Sequence, residues 1–179
     1  MMTVIRPERI WQALPATAAP VSARLRGHWE GLRPGNALPR RDQFDPRALG
    51  PLLGSVFLID WTDRGAARLR IAGQVFTRLY GMELHGAPLA LLFEPSERAE
   101  IGRMVQEVCE GPVAMDLGLR SEGGGGRAPV TGRMMLLPLL DGCGERRLAI
   151  GSLEVSGEIG RAPRRFRVER CLRTPLSVA

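Results

Sequence analysis

Apolar positions along the chain fall into two rhythms. Val21, Leu25, Trp29 and Leu32 recur at helical spacing between Pro20 and the stop at Pro34-Gly35, which predicts a helix. "SVFLIDW", residues 55–61, is instead almost continuously apolar and rich in β-branched and aromatic side chains, as in a buried strand. "RLRIA", 68–72, alternates, with Leu69 and Ile71 on one face and Arg68 and Arg70 on the other. With the turn "TDRGA" between them, the two runs read as an antiparallel hairpin.

After Gly73 the rhythm turns helical again: Val75, Phe76, Leu79 and Tyr80 give barely two turns, closed by Gly81. "MELHGAPLALLF" is broken by Gly86 and Pro88 into short turns. A longer helix is predicted near 95–110, with Pro95 at a first helical position and a stripe of Ile101, Met104, Val105, Val108 and Cys109. Three strands follow. Val113, Met115, Leu117 and Leu119 alternate with Ala114, Asp116, Gly118 and Arg120; "VTGRMMLLPLL" and "RRLAIGSLEV" come after the loop "SEGGGGRAP" and the turn "DGCGE". This order predicts an α+β domain, a five-stranded antiparallel sheet with helices on one face, preceded by an N-terminal helix. Residues 1–46 then form an N-terminal extension and helix, loosely held over 1–19, residues 47–156 the domain, and 157–179 an arginine-rich C-terminal tail.

Short pieces in a fixed order carry a resemblance: Trp29, Pro39-Arg40-Arg41, Phe44-Asp45-Pro46, Arg70 with Ala72-Gly73, and Gly81 with Glu83-Leu84 and Gly86. Together they are similar to PAS_5, a family of bacterial single-domain PAS proteins, over about residues 28–156. The resemblance implies a PAS-like fold and a sensory or regulatory role through ligand binding or protein contact, with no reaction of its own. It implies that the short helices after the second strand wall off a cavity over the sheet, the glycines permitting sharp turns. The side chains facing one another there would be Phe76, Leu79, Tyr80, Leu89, Leu92, Met104, Val108, Met115, Leu117, Met135 and Leu137. They read first as a packed core, and in the functional alternative as a pocket for a small apolar or amphipathic ligand.

The resemblance also bears on partners and cofactors. In PAS-like proteins an N-terminal helix often pairs with a second copy, so a homodimer through Val21, Leu25, Trp29 and Leu32 is expected, with Trp29 as its anchor. The competing expectation is that the same stripe lies on its own sheet. A haem-binding sensor is an alternative, since PAS haem ligands commonly come from the long helix. Here "PSERAEIGRMVQEVCEG" holds no histidine, and His85 is a lone residue in a turn. No Asn-Cys-Arg-type flavin motif stands between Gly81 and Ser96. Neither cofactor is expected.

Composition narrows the remaining classes. The chain has 179 residues, 44% apolar and 25% charged, enough for one domain with a proper core. Its three cysteines form no CxxC pair, so no structural metal site is expected, and their odd number suggests a reducing, cytoplasmic setting. The N-terminus "MMTVIRPERIWQALPATAAP" lacks an unbroken apolar stretch, and nothing has the length of a membrane span. Net charge is +6 without a single lysine, and Arg161, Arg164, Arg165, Arg167, Arg170 and Arg173 fall in the last twenty residues against Glu169 alone. Such a tail is expected to be solvated and to exchange its amide hydrogens quickly. It is also the basis of a nucleic-acid-binding alternative, which Phe166 as its lone aromatic supports poorly.

No catalytic constellation is legible, so no enzyme is expected. Asp60, Asp63, Asp116 and Glu154 lie on separate elements, Cys109 falls on the apolar stripe, and Cys143 has no neighbouring histidine. "EGGGGR" is not followed by Lys-Ser/Thr or a helix, and reads as a hairpin loop rather than a phosphate loop.

Overall fold

The computed structural model describes residues 19–62, 65–144 and 148–177. The loosely held segment over 1–19 therefore lies, but for its last residue, outside the described residues, as does Asp63. The first hairpin forms where expected, β1 (Val56–Trp61) against β2 (Ala67–Ala72), but a register shift between Leu58 and Ile59 breaks the expected alternation, so that Leu69 is buried and Ile71 exposed. β3 (Val113–Ser121), β4 (Val130–Leu139) and β5 (Leu148–Ser156) form the three-stranded run, and β5 closes the sheet by pairing with β1. Every pairing is antiparallel.

The sheet has six strands where five were expected, in the order β2-β1-β5-β4-β3-β6. The sixth, β6 (Arg167–Pro175), comes from the arginine-rich tail and runs along β3. Expected to be solvated, this segment instead docks through its backbone before the strand begins. The Arg164 N–H donates to the Leu79 carbonyl (2.7 Å), and the Phe166 N–H to that of Leu92 (2.8 Å). Phe166 is fully buried. The tail's alternation was masked by a register shift: Leu119 pairs with Val168 and Gly118 with Arg170, leaving Glu169 as the extra residue of a bulge. Phe166 and Val168 face the core before that shift, and Cys171 after it.

Helices cover both faces. On the first lie α3 (Gln74–Tyr80), a 3-10 turn at Leu89–Leu92, and α4 (Arg98–Glu110), whose Ile101, Met104, Val105, Val108 and Cys109 are all buried. Gly81 ends α3 with φ of 86°, a left-handed cap open to glycine at no steric cost. Gly73, just before α3, serves differently: a Cβ there would stand 2.5 Å from the Gly54 carbonyl oxygen, so the backbones meet only because it has none.

On the opposite face lies α1 (Val21–Gly31), with α2 (Pro46–Leu49) and the turn Gly50–Ser55 beside it. The stripe therefore rests on its own sheet. Leu25 and Trp29 are 0% exposed among Met135, Leu137, Leu148 and Ile150, and the Trp29 Nε1–H donates to the Pro138 carbonyl at 2.9 Å. Val21 packs partly buried at the edge of this cluster and Leu32 is half-buried. Pro20 at the head of α1 offers no capping side chain. Glu154 on β5 reaches across instead, its two oxygens accepting from the Val21 N–H (2.8 Å) and the Ser22 N–H (3.2 Å). A carboxylate at that end satisfies two orphan donors and opposes the positive end of the helix dipole.

Candidate functional site

The apolar interior assembles from three local choices: a two-turn helix on Phe76 and Leu79, a 3-10 turn that inserts Leu89 and Leu92, and the stripe of α4. Together with Met115 and Leu117 of β3 they form one buried cluster with Met104 and Val108, and Tyr80 packs half-buried at its edge. Phe57 and Phe76 meet edge-to-face with ring centroids 5.1 Å apart. The Phe57 ring lies over Gly151, where a Cβ would come within 2.4 Å of ring carbon and of the Met135 carbonyl.

Met135 and Leu137 stand elsewhere. They belong to the cluster beneath α1, and Met134 and Leu136 take the interior places. In "MMLLPLL" both faces are apolar because α1 covers one and α4 the other, so the run carries no parity signal, and a one-residue slip exchanges the faces.

Titratable groups near the core act as structural members. Burial above all, with Asp60 and Glu110 adding, pushes the Cys109 thiol up to about 12, which suppresses its thiolate. Beneath α1, burial raises the Asp116 carboxyl and lowers the Arg133 guanidinium, each partly offset by the other. Arg26 of α1 stands 3.7 Å from Asp116. With Glu154 this is a charged seam that holds α1 on the sheet. His28 stacks edge-on against Phe44 at 5.4 Å, and His85 is exposed in its turn.

Apart from the packed interior cluster lies a concavity that is polar and was not legible from the sequence. An open cleft of about 600 Å³ lies between the β3–β4 loop and the segment leading into β6. Its walls include Glu94, Ser121, Glu122, Arg127, Arg161 and Arg165, with Gly124 and Gly125 on the rim. Arg164 behind it is 1% exposed, its guanidinium donating to the carbonyls of Ile159 (2.6 Å), Glu158 (3.2 Å) and Glu122 (3.5 Å). Arg127 ties the two walls by donating to the Arg161 (2.8 Å) and Pro163 (3.3 Å) carbonyls. The tail supplies one wall, so a reading that left the tail in solvent could not assemble the cleft.

Of the other tail arginines, Arg173 pairs with Glu107 (3.0 Å) and approaches Glu100 (3.9 Å), both on α4. Arg167 and Arg170 are exposed on β6. The basic tail is thus a folded edge rather than a free arm.

The family model PAS_5, described as a PAS domain, matches residues 17–154. No curated protein matches the chain. Similar solved structures include a LOV protein of Rhodobacter sphaeroides, 17% identical with a TM-score of 0.44, covering 59% of this chain and 61% of that one. An RNA-binding light-oxygen-voltage receptor is 20% identical with a TM-score of 0.44, covering 61% of this chain and 32% of that one. A fungal LOV-domain photoreceptor is 20% identical with a TM-score of 0.42, covering 74% and 90%. The chain thus spans less than two thirds of the length of the first two.

Proposed function

The chain belongs to the PAS_5 family of PAS domains, and from that premise we propose that it is a sensory or regulatory module working by small-ligand binding or protein contact, with no reaction of its own. The observation that carries the reading is the interior cluster. α3, the Leu89–Leu92 turn and α4 converge on one apolar body over the sheet, with Tyr80 at its edge and Met104, Met115 and Met134 within it. Methionine side chains adapt their shape at low cost, so a small apolar or amphipathic ligand enters this body by repacking them. The buried thiol and the charged seam under α1 have structural work, which leaves the module to signal by changing shape or partner.

Homodimerisation and a cytoplasmic setting belong to the same proposal. Because Leu25 and Trp29 are spent on the chain's own sheet, a second copy would use other surface, and sedimentation at tens of micromolar reads the state directly. Among the described residues no helix is long and apolar enough to cross a membrane.

The ligand reading is tested by thermal shift with a panel of small metabolites, followed by amide chemical shifts for any hit. A ligand at a hundred times its Kd stabilises by about 2.7 kcal/mol, a readily measured rise in Tm. The expected hit moves amides of α3 and α4. A panel without stabilisation, together with no shift of those amides by a medium-chain fatty acid, overturns ligand binding in the interior.

A further inference from the structure

The polar cleft goes beyond this reading, since it lies apart from the apolar interior and draws on different residues. Its charges divide unevenly. Glu122 is engaged by Arg120 at 2.8 Å, and three of the contacts of Arg127 are with backbone carbonyls. That leaves Arg161, Arg165 and Glu94 as the other charged residues lining the opening. Among the described residues no acceptor meets the Arg165 guanidinium, and its Nε is buried without any partner. A buried donor without an acceptor costs on the order of 1–3 kcal/mol, more where the group is charged. Such an atom in a cleft wall marks where an acceptor belongs.

The rim favours the same sign. Gly124 and Arg127 close a tight turn through mutual backbone hydrogen bonds, each 3.2 Å. Without side chains, Gly124 and Gly125 leave the backbone open to close approach. The volume of about 600 Å³ exceeds what a bare ion fills and falls in the range of small-molecule sites. We infer that this cleft binds a small organic molecule through its carboxylate or phosphate group, held by the guanidinium of Arg165 with Arg161 as a second cation. Guanidinium is the side chain best suited to it, because its planar fork matches both groups. Glu94 sets the limit on affinity for purely anionic ligands and favours one that also presents a hydroxyl or ammonium donor.

The test titrates the full chain with inorganic phosphate and, separately, with malonate, while sodium chloride holds ionic strength constant. The readout is the Arg165 Nε–H resonance and the amides of Gly124 and Gly125. Saturable shifts are expected, weakened at least tenfold in Arg165→Gln and tightened severalfold in Glu94→Gln. Shifts that sodium chloride alone reproduces, or that Arg165→Gln leaves unchanged, overturn the inference. Should Arg165→Gln fail to fold, Glu94→Gln decides: an unchanged or weakened response refutes an anion site. The amides of Leu79, Met104 and Val108 remain still in these titrations, so the result is separable from any ligand in the interior.

Discussion

Two residues show how narrowly this interior is specified. Gly151 has no room for even a methyl group, since Phe57 and the Met135 carbonyl both stand where its Cβ would be. Gly151→Ala forces backbone or ring to shift, and an overpacked core of this kind loses about 1–3 kcal/mol, to be read in denaturant melts. Asp116 is costly in the opposite sense. Burial raises its folded pKa above the usual carboxylate value, so the native state holds its proton to higher pH than the unfolded chain does. The native state then binds more protons than the unfolded one in the window just above about pH 4, and stability falls as pH rises through it. Asp116→Asn removes that slope. The melting temperatures of variant and parent should diverge in the variant's favour as pH rises above about 4. A parallel pair of profiles would show that Arg26 and Arg133 fully compensate the burial.

Among the elements, α1 was the one whose spacing was plain and whose destination was not. A stripe of Val21, Leu25 and Trp29 announces a helix that must be covered, but nothing in its own sequence says by what. The missing information sat far away, in Glu154, which supplies the cap that Pro20 lacks. Glu154→Ala should cost about 1 kcal/mol by thermal melt, and Glu154→Gln less, because the amide oxygen still accepts. Trp29→Ala removes a fully buried indole and its bond to Pro138, and should cost about 3–5 kcal/mol, enough to unfold a marginal domain. A Trp29→Ala chain of parental stability would place the helix off the sheet. The stripe of α4 and the alternation of β3 were legible for the converse reason: each has one polar face and one apolar one. β4 was legible only as a strand, its two apolar faces carrying no parity. β6 was hidden by its arginines and by the shift at Glu169, although its inward positions, Val168 and Cys171, and Phe166 just before it are apolar or nearly so. The interior cluster followed from the legible elements, and the polar cleft was lost with β6.

For the molecule as a whole, β6 completes both the sheet and the wall beneath α3 and α4. The β6 amides that bond to β3 should therefore exchange slowly, against the fast exchange expected of a solvated tail. Ending the chain at Gly160 should expose the ring site of Phe166 and leave β3 as an open edge, giving a less soluble and less stable protein by scattering and melt. With β6 in place, the outermost strand carries Arg167 and Arg170 into solvent, and charged side chains on an edge deter pairing with another sheet. The position of that strand also fixes an order of events during synthesis. Leu79, Leu92 and Pro112 leave the ribosome long before Phe166, Arg164 and Leu176, whose backbones bond to theirs. At about 5–20 residues per second the nascent domain spends several seconds with its helical face assembled on one side and unsealed on the other. A chaperone that recognises exposed aliphatic surface would find this protein in that interval, and would release it when the last strand arrives.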